Sequence, residues 1–208
     1  DSMHRPCLSY SYRSATESGT TLTAPARVDT AGASNHPSLA ISPTDGSVTI
    51  SWVSQAASPA TIVLRTRSTS GVWSSVSTVS TAPVWTSPNS GLNIDQGPSL
   101  VFDSLGKIHL VYMQDYENTG AAGYQYGRIH YVTNASGSMV DQALPTFTHD
   151  PVIAITGKNE LLIIGHGHPV DPTCPSMDVM CLTTRTGTTW NSPQVLASPT
   201  GSDSYDAS

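Results

Sequence analysis

Apolar and polar positions alternate with a period of two along most of the chain. The runs Val48-Thr-Ile-Ser-Trp-Val53, Ala60-Thr-Ile-Val-Leu-Arg-Thr-Arg67, Lys107-Ile-His-Leu-Val-Tyr-Met113, Gly127-Arg-Ile-His-Tyr-Val132 and Glu160-Leu-Leu-Ile-Ile-Gly-His166 are short, rich in Val, Ile, Thr and Tyr, and bounded by turn residues. Nowhere do apolar residues recur at i, i+3, i+4 and i+7 over a dozen positions, so no amphipathic helix is expected. The pattern predicts an all-β protein.

The runs repeat in a fixed order. His36-Pro-Ser-Leu-Ala-Ile-Ser, Gly97-Pro-Ser-Leu-Val-Phe-Asp and Asp150-Pro-Val-Ile-Ala-Ile each open with a proline, Pro37, Pro98 or Pro151. Each leads through a turn containing Gly46, Gly106 or Gly157 to a second alternating run, the pattern of a β-hairpin with glycine supplying the positive φ. A third run follows: 60–67 leading to Ser70-Gly-Val-Trp73, 127–132 to Ala135-Ser-Gly-Ser138, and 180–185 to Gly187-Thr-Thr-Trp190. The N-terminal Pro6-Cys-Leu-Ser-Tyr-Ser-Tyr-Arg13, leading to Ser18-Gly-Thr-Thr-Leu22, is a fourth copy of that pattern. A unit of four strands, A to D, recurring every ~50 to 60 residues is the signature of a β-propeller blade. The expected organisation of the single domain 1–208 is a partial blade at 1–28, complete four-stranded antiparallel blades at 37–80, 98–143 and 151–197, and the start of another at 203–208. Since four blades are about the minimum for a closed ring, the chain reads as a fragment of a larger ring. Residues 1–28 and 203–208 are expected to contact further blades or another protein chain, because open sheet edges and apolar faces need cover.

Composition narrows the function classes. The 38% of hydrophobic residues suffice for a core and argue against disorder. Membrane insertion is not expected, because no apolar run approaches the ~20 residues of a membrane helix. Nine basic against fifteen acidic residues, with only Lys107 and Lys158 as lysines, leave no footprint for a phosphate backbone, so nucleic acid is excluded as an expected partner. Serine and threonine form about a quarter of the chain, and charged residues only 12%. Such a surface, with few cysteines, fits a secreted or cell-surface protein. Cys7, Cys174 and Cys181 have neither zinc nor redox spacing, and no cofactor is expected.

With strand C running into a hydroxyl-Gly-x-x-Trp turn and strand A opening on proline, the sequence resembles the sialidase-like propellers with BNR (Asp-box) repeats, whose box reads Ser-x-Asp-x-Gly-x-Thr-Trp. The nearest copy, Thr183-Thr-Arg-Thr-Gly187-Thr-Thr189-Trp190, has Arg185 in place of the aspartate. In Ala15-Thr-Glu17-Ser-Gly19-Thr-Thr21-Leu22 the acid is glutamate and the aromatic is leucine. The resemblance implies the fold over nearly the whole chain; the box itself is a structural turn whose Trp packs between sheets. A sialidase site would also need an arginine triad, a Tyr/Glu nucleophile pair, an Asp acid and an Arg-Ile-Pro segment. No Arg-Ile-Pro occurs, and Arg5, Arg13, Arg27, Arg65, Arg67, Arg128 and Arg185 fall mostly on strands C and D, where charged residues pair across strands or face solvent.

In a propeller the D-to-A and B-to-C loops form the ligand face. They carry the ligand-binding candidates: His36, Trp85, Asp95, Asp115, Tyr116, Glu117, Asp150, His168 and Asp171. Imidazoles beside carboxylates and aromatic rings suit a sugar, with polar groups for hydroxyls and ring faces for C–H stacking. The catalytic candidates are His149 and His166, which the hairpin pattern brings to one end of adjacent strands. The third blade is similar to a blade of BNR-type polysaccharide lyases, where a His/Tyr pair abstracts the proton next to a uronate carboxylate; loop-structuring hydrogen bonds are the alternative. His149, His166, His168 and Asp171 offer nitrogen and oxygen donors to a transition metal and Asp115-Tyr-Glu-Asn118 offers oxygens to calcium, but neither has a dedicated spacing, and no metal site is assigned.

Cys174 and Cys181 are close enough in sequence to bridge locally if the protein is secreted. Cys7 aligns with Cys181, and the repeat places its counterpart partner before Asp1. Asn134-Ala-Ser136 meets the glycosylation sequon, a short pattern that chance also produces. The expected function is an extracellular module binding carbohydrate, as a cell-surface glycan, or another surface through its loop face. The alternatives are a polysaccharide-degrading lyase or glycoside hydrolase with a His-centred site, and a structural or assembly propeller.

Overall fold

β-Branched and aromatic residues at alternate positions form strands throughout the computed structural model, which describes residues 9–10, 24–29, 34–57, 59–84, 97–114, 128–145, 149–167 and 179–197. Every regular element among the described residues is a strand. A short antiparallel pair comes first, β1 (Ser9–Tyr10) with β2 (Ala26–Arg27). The first four-stranded sheet is β3 (Ser34–Ile41), β4 (Val48–Ser54), β5 (Thr61–Arg67) and β6 (Ser77–Thr78), in chain order. The second is β7 (Ser99–Phe102), β8 (Ile108–Met113), β9 (Ile129–Thr133) and β10 (Val140–Ala143). The third is β11 (His149–Ile155), β12 (Leu161–His166) and β13 (Met180–Thr186), with β14 (Thr189–Trp190) and β15 (Gln194–Ala197) both paired to β13. All pairings are antiparallel. The fourth strand of the third sheet is thus split in two. Pro193, between β14 and β15, cannot donate to the ladder and interrupts it.

The A–B turns are built alike. Ser42, Asp103 and Thr156 each donate their N–H to the carbonyl of Ser47, Lys107 and Glu160, and accept from Gly46, Gly106 and Asn159. Those last three hold φ of 70°, 71° and 61°. Glycine fills two of the three positions, but in the third turn the left-handed residue is Asn159 rather than the expected Gly157. Asparagine tolerates this region better than most residues. Its side chain is also in use, accepting from the Ser104 N–H at 3.0 Å and donating to Ser104 Oγ at 2.6 Å.

The sheets stack face to face. Alternation sends Val53, Ile62 and Leu64 of the first sheet against Leu100, Leu110, Tyr112 and Val132 of the second. Val111, Ile129 and Tyr131, on the opposite face of the second sheet, meet Ile153, Leu161, Ile163 and Trp190 of the third. Each aliphatic side chain buried there is worth about 1.5–3 kcal/mol, so these two interfaces dominate the stability of the stack.

Equivalent first strands lie side by side, β7 between β3 and β11. Ser38 Oγ accepts the backbone N–H of Leu100 at 3.1 Å, and Ser99 Oγ accepts that of Ile153 at 3.1 Å. Each hydroxyl thereby caps a donor on the free edge of the next sheet's first strand, where no ladder partner exists. At the turn end the sheets meet through Thr44, whose side chain closes over Gly106, and through the Asn159 to Ser104 pair.

Candidate functional site

Because the A–B turns meet at one end of the stack, the opposite strand ends share the other. There β3 and β11 begin, and β4, β8 and β12 finish. Of the sequence-derived candidates, His36, His149, Asp150 and His166 lie at this end. His36 and Asp150 precede Pro37 and Pro151, and in both hairpins the register shifts at that point, between Asn35 and Ser38 and between His149 and Val152. The prolines therefore sit within their strands at bulges rather than opening them, which is where a residue without an N–H is tolerated in a strand.

His36 has φ 53° and Asp150 φ 50°. A left-handed backbone costs a residue with a Cβ roughly 1–3 kcal/mol, and it persists only where surroundings enforce it. One enforcing contact is visible at Gly97, the residue before Pro98: a Cβ there would lie 2.6 Å from His36 Cβ and 2.9 Å from His36 O. The second sheet's backbone thus packs directly against the first sheet's bulge. His36 and Asp150 are half-buried.

His149 and His166 are cross-strand partners at the start of β11 and the end of β12. His166 is only 7% exposed, which leaves little of its ring for a substrate to touch. Trp85, Asp95, Asp115, Tyr116, Glu117, His168, Asp171 and Cys174 lie outside the described residues, as do 1–8 and 203–208. Among the described residues no three His, Cys, Asp or Glu side chains converge as a metal-binding set. No helix among them is long and apolar enough to cross a membrane. Cys181 is buried and disulfide-bonded, and both other cysteines lie outside the described residues.

Two polar networks were missed in the sequence. On the second sheet's face toward the first, Asp141 of β10 accepts from Tyr112 OH at 2.6 Å and from both the N–H and hydroxyl of Thr81, at 2.6 and 2.7 Å. Its other oxygen lies 2.7 Å from His130 Nδ1, while His130 Nε2 lies 2.9 Å from Gln114 Oε1. Burial alone would raise the Asp141 pKa, but the donors outweigh it and hold the carboxyl at about 2. Burial, reinforced by the Asp141 charge, pushes the Tyr112 phenol upward. These are residue types used for proton transfer. With Tyr112 fully buried and the Asp141 side chain 1% exposed, the cluster instead joins the second sheet to the segment that follows β6.

On the opposite face, His109 Nδ1 bonds Tyr131 OH, which also accepts from Arg185 Nη1 at 2.9 Å. Arg185 lies over the Tyr131 and Trp190 rings, at 5.1 and 5.8 Å. Burial lowers the His109 pKa against the opposing pull of Asp103, 3.4 Å away. The guanidinium of Arg65 has a similar role in the first sheet, donating to Val28 O at 2.7 Å and stacking over Trp73 at 5.5 Å. Arg185 fastens the third sheet to the second, and Arg65 ties the first sheet to the segment before it. The sequence signal was the pairing of His-Leu-Val-Tyr on β8 with His-Tyr on β9: antiparallel alternation sends one His and one Tyr to each face.

No protein-family model matches the chain, and no curated protein matches it.

Proposed function

We propose that the chain is part of a sialidase-like β-propeller, secreted or displayed at a cell surface, that binds carbohydrate through the strand ends carrying His36 and Asp150. The propeller reading is supported by three consecutive antiparallel meanders stacked face to face, with equivalent first strands adjacent and linked by equivalent serines. Disulfide bonding at Cys181 supports an oxidising compartment.

One observation carries the binding reading. Chemistry-bearing side chains, an imidazole and a carboxylate, occupy the same pre-proline bulge in two sheets, each in a left-handed conformation glycine would adopt without cost. Strain retained at equivalent positions on one end is the mark of a site that uses those side chains. Polar groups on two first strands with β7 between them suit the spaced hydroxyls of a sugar. The lyase or hydrolase alternative rests on the His149 and His166 register.

The test is a glycan array probed with the labelled chain, followed by calorimetry of any hit against His36→Ala and Asp150→Ala. The expected result is retention of an acidic or neutral oligosaccharide, weakened at least about tenfold in each variant, the scale of one lost charged hydrogen bond. An array with no retained glycan, or variants that bind like the parent, would overturn the proposal. Shortening of a retained uronate polymer would instead favour the enzyme reading.

A further inference from the structure

A chain of hydrogen bonds crosses from the third sheet into the second, and it runs in one direction. A guanidinium has only donors, so Arg185 Nη1 donates to Tyr131 OH at 2.9 Å and leaves the phenol's own proton for His109 Nδ1. The neutral imidazole is thereby the Nε2–H tautomer. Its Nε2 lies 3.4 Å from Asp103 Oδ2 without a hydrogen bond. His109 is 4% and Tyr131 1% exposed, so bulk water offers neither ring another partner. Among the described residues, the titratable and charged groups facing the imidazole are Asp103 on the A–B turn of its own sheet, Tyr131 on β9 and Arg185 on β13.

We propose that His109 is an acid-sensitive latch between the second and third sheets, holding the Tyr131 to Arg185 link when neutral and loosening the third sheet when protonated. A proton on Nδ1 takes the place of the one Tyr131 donates there. The phenol oxygen must then accept from His109 and Arg185 together, and its O–H turns from a nitrogen acceptor to the Thr133 hydroxyl beside it. Protonation also puts a second cation near the Arg185 guanidinium. Asp103 is the one carboxylate facing both, and its other oxygen already accepts the N–H groups of Leu105 and Lys107. Burial, with the Arg185 charge, lowers the His109 pKa from 6.5 against the pull of Asp103. A folded-state value below the unfolded one means that the latch contributes fully above pH 6.5 and weakens as pH falls below it. Trp190 sits edge-on to Tyr131 at 5.1 Å, so the loosening reaches β14 as well as β13.

Nitrogen-15 NMR of the intact labelled chain, with the His109 ring assigned through its own backbone, tests the latch. The expected record is an Nε2–H tautomer at neutral pH and a titration below pH 6.5. Amide exchange of β13, corrected for its intrinsic pH dependence, should rise along the same curve relative to that of β4 in the first sheet. Arg185→Gln should move the His109 titration up and Asp103→Asn should move it down, because each removes a charge of opposite sign. His109→Gln should abolish the acid rise in β13 exchange; if that variant does not fold, the wild-type curves decide by themselves. An Nδ1–H tautomer at neutral pH, a titration at or above pH 6.5, or β13 exchange that gains nothing over β4 in acid overturns the proposal.

Discussion

The hydroxyl of Ser99 accepts the backbone N–H of Ile153 at 3.1 Å, joining the first strand of the second sheet to the first strand of the third. Ser38 makes the same bond to Leu100 one sheet earlier. The repeat therefore specifies the sheet, through alternation, and also the seat of the next sheet, through one serine after the proline.

Ser99→Ala removes that acceptor and leaves the Ile153 N–H without a partner beside a side chain only 3% exposed. An unsatisfied buried donor costs about 1–3 kcal/mol, so Ser99→Ala and Ser38→Ala should each lower the free energy of unfolding by that order. Denaturant unfolding checks it. If alanine at both sites costs nothing measurable, the sheets are seated by apolar packing alone.

Asp141 predicts an acid transition. Its carboxyl is held at about 2, against an ordinary value of 3.8. A depressed carboxylate pKa stabilises the fold above the unfolded value and loses that contribution as pH falls through the folded one. The difference is worth about 2 kcal/mol, present at pH 5 and lost between about pH 4 and pH 2. In Asp141→Asn this segment of the stability curve should be flat. A wild-type curve with no fall in that window would show the carboxylate to be unlinked to folding.

The distribution of legible and hidden features has a physical basis. Strand order and hairpin pairing could be read because alternation around Trp52, Tyr112 and Ile163 fixes which side chains are buried, and a one-residue slip would reverse every face. The His149 to His166 register could be read for the same reason. Asn159 could not, because Gly157 two residues earlier is the stronger local signal and the choice was settled by a bond to Ser104 in another sheet. The Asp141 cluster was also hidden, since it joins Tyr112, His130 and Asp141 on three strands of one sheet to Thr81, which only the stacking of the first sheet brings to them. The bulges at His36 and Asp150 look in sequence like ordinary X-Pro strand starts, a context that argues against a left-handed residue.

Cys181 predicts a covalent linkage across an undetermined pair. It is disulfide-bonded, and only Cys7 and Cys174 remain as partners within the chain. We expect Cys174, because it lies seven positions away on the same B–C connection, and such a bridge would fasten the segment next to His166. Peptide mapping under non-reducing conditions should yield a fragment joining 174 to 181. Recovery of Cys7 joined to Cys181 would refute the assignment.

The positive-φ residues predict opposite responses to one substitution. His36, Asp150 and Asn159 all hold left-handed backbones, at φ 53°, 50° and 61°. Glycine adopts that conformation without a steric penalty, so His36→Gly and Asp150→Gly should relieve strain of about 1 kcal/mol, less whatever their side chains contribute. Asparagine already tolerates the region, and Asn159 spends its amide on two bonds to Ser104. Asn159→Gly should therefore relieve little and lose about 1 kcal/mol or more. Thermal and denaturant melts of the three variants should rank His36→Gly and Asp150→Gly at or above the parent and Asn159→Gly below it. If His36→Gly and Asp150→Gly are instead the more damaging pair, those side chains hold the fold together, and the argument that their strain is kept for binding fails.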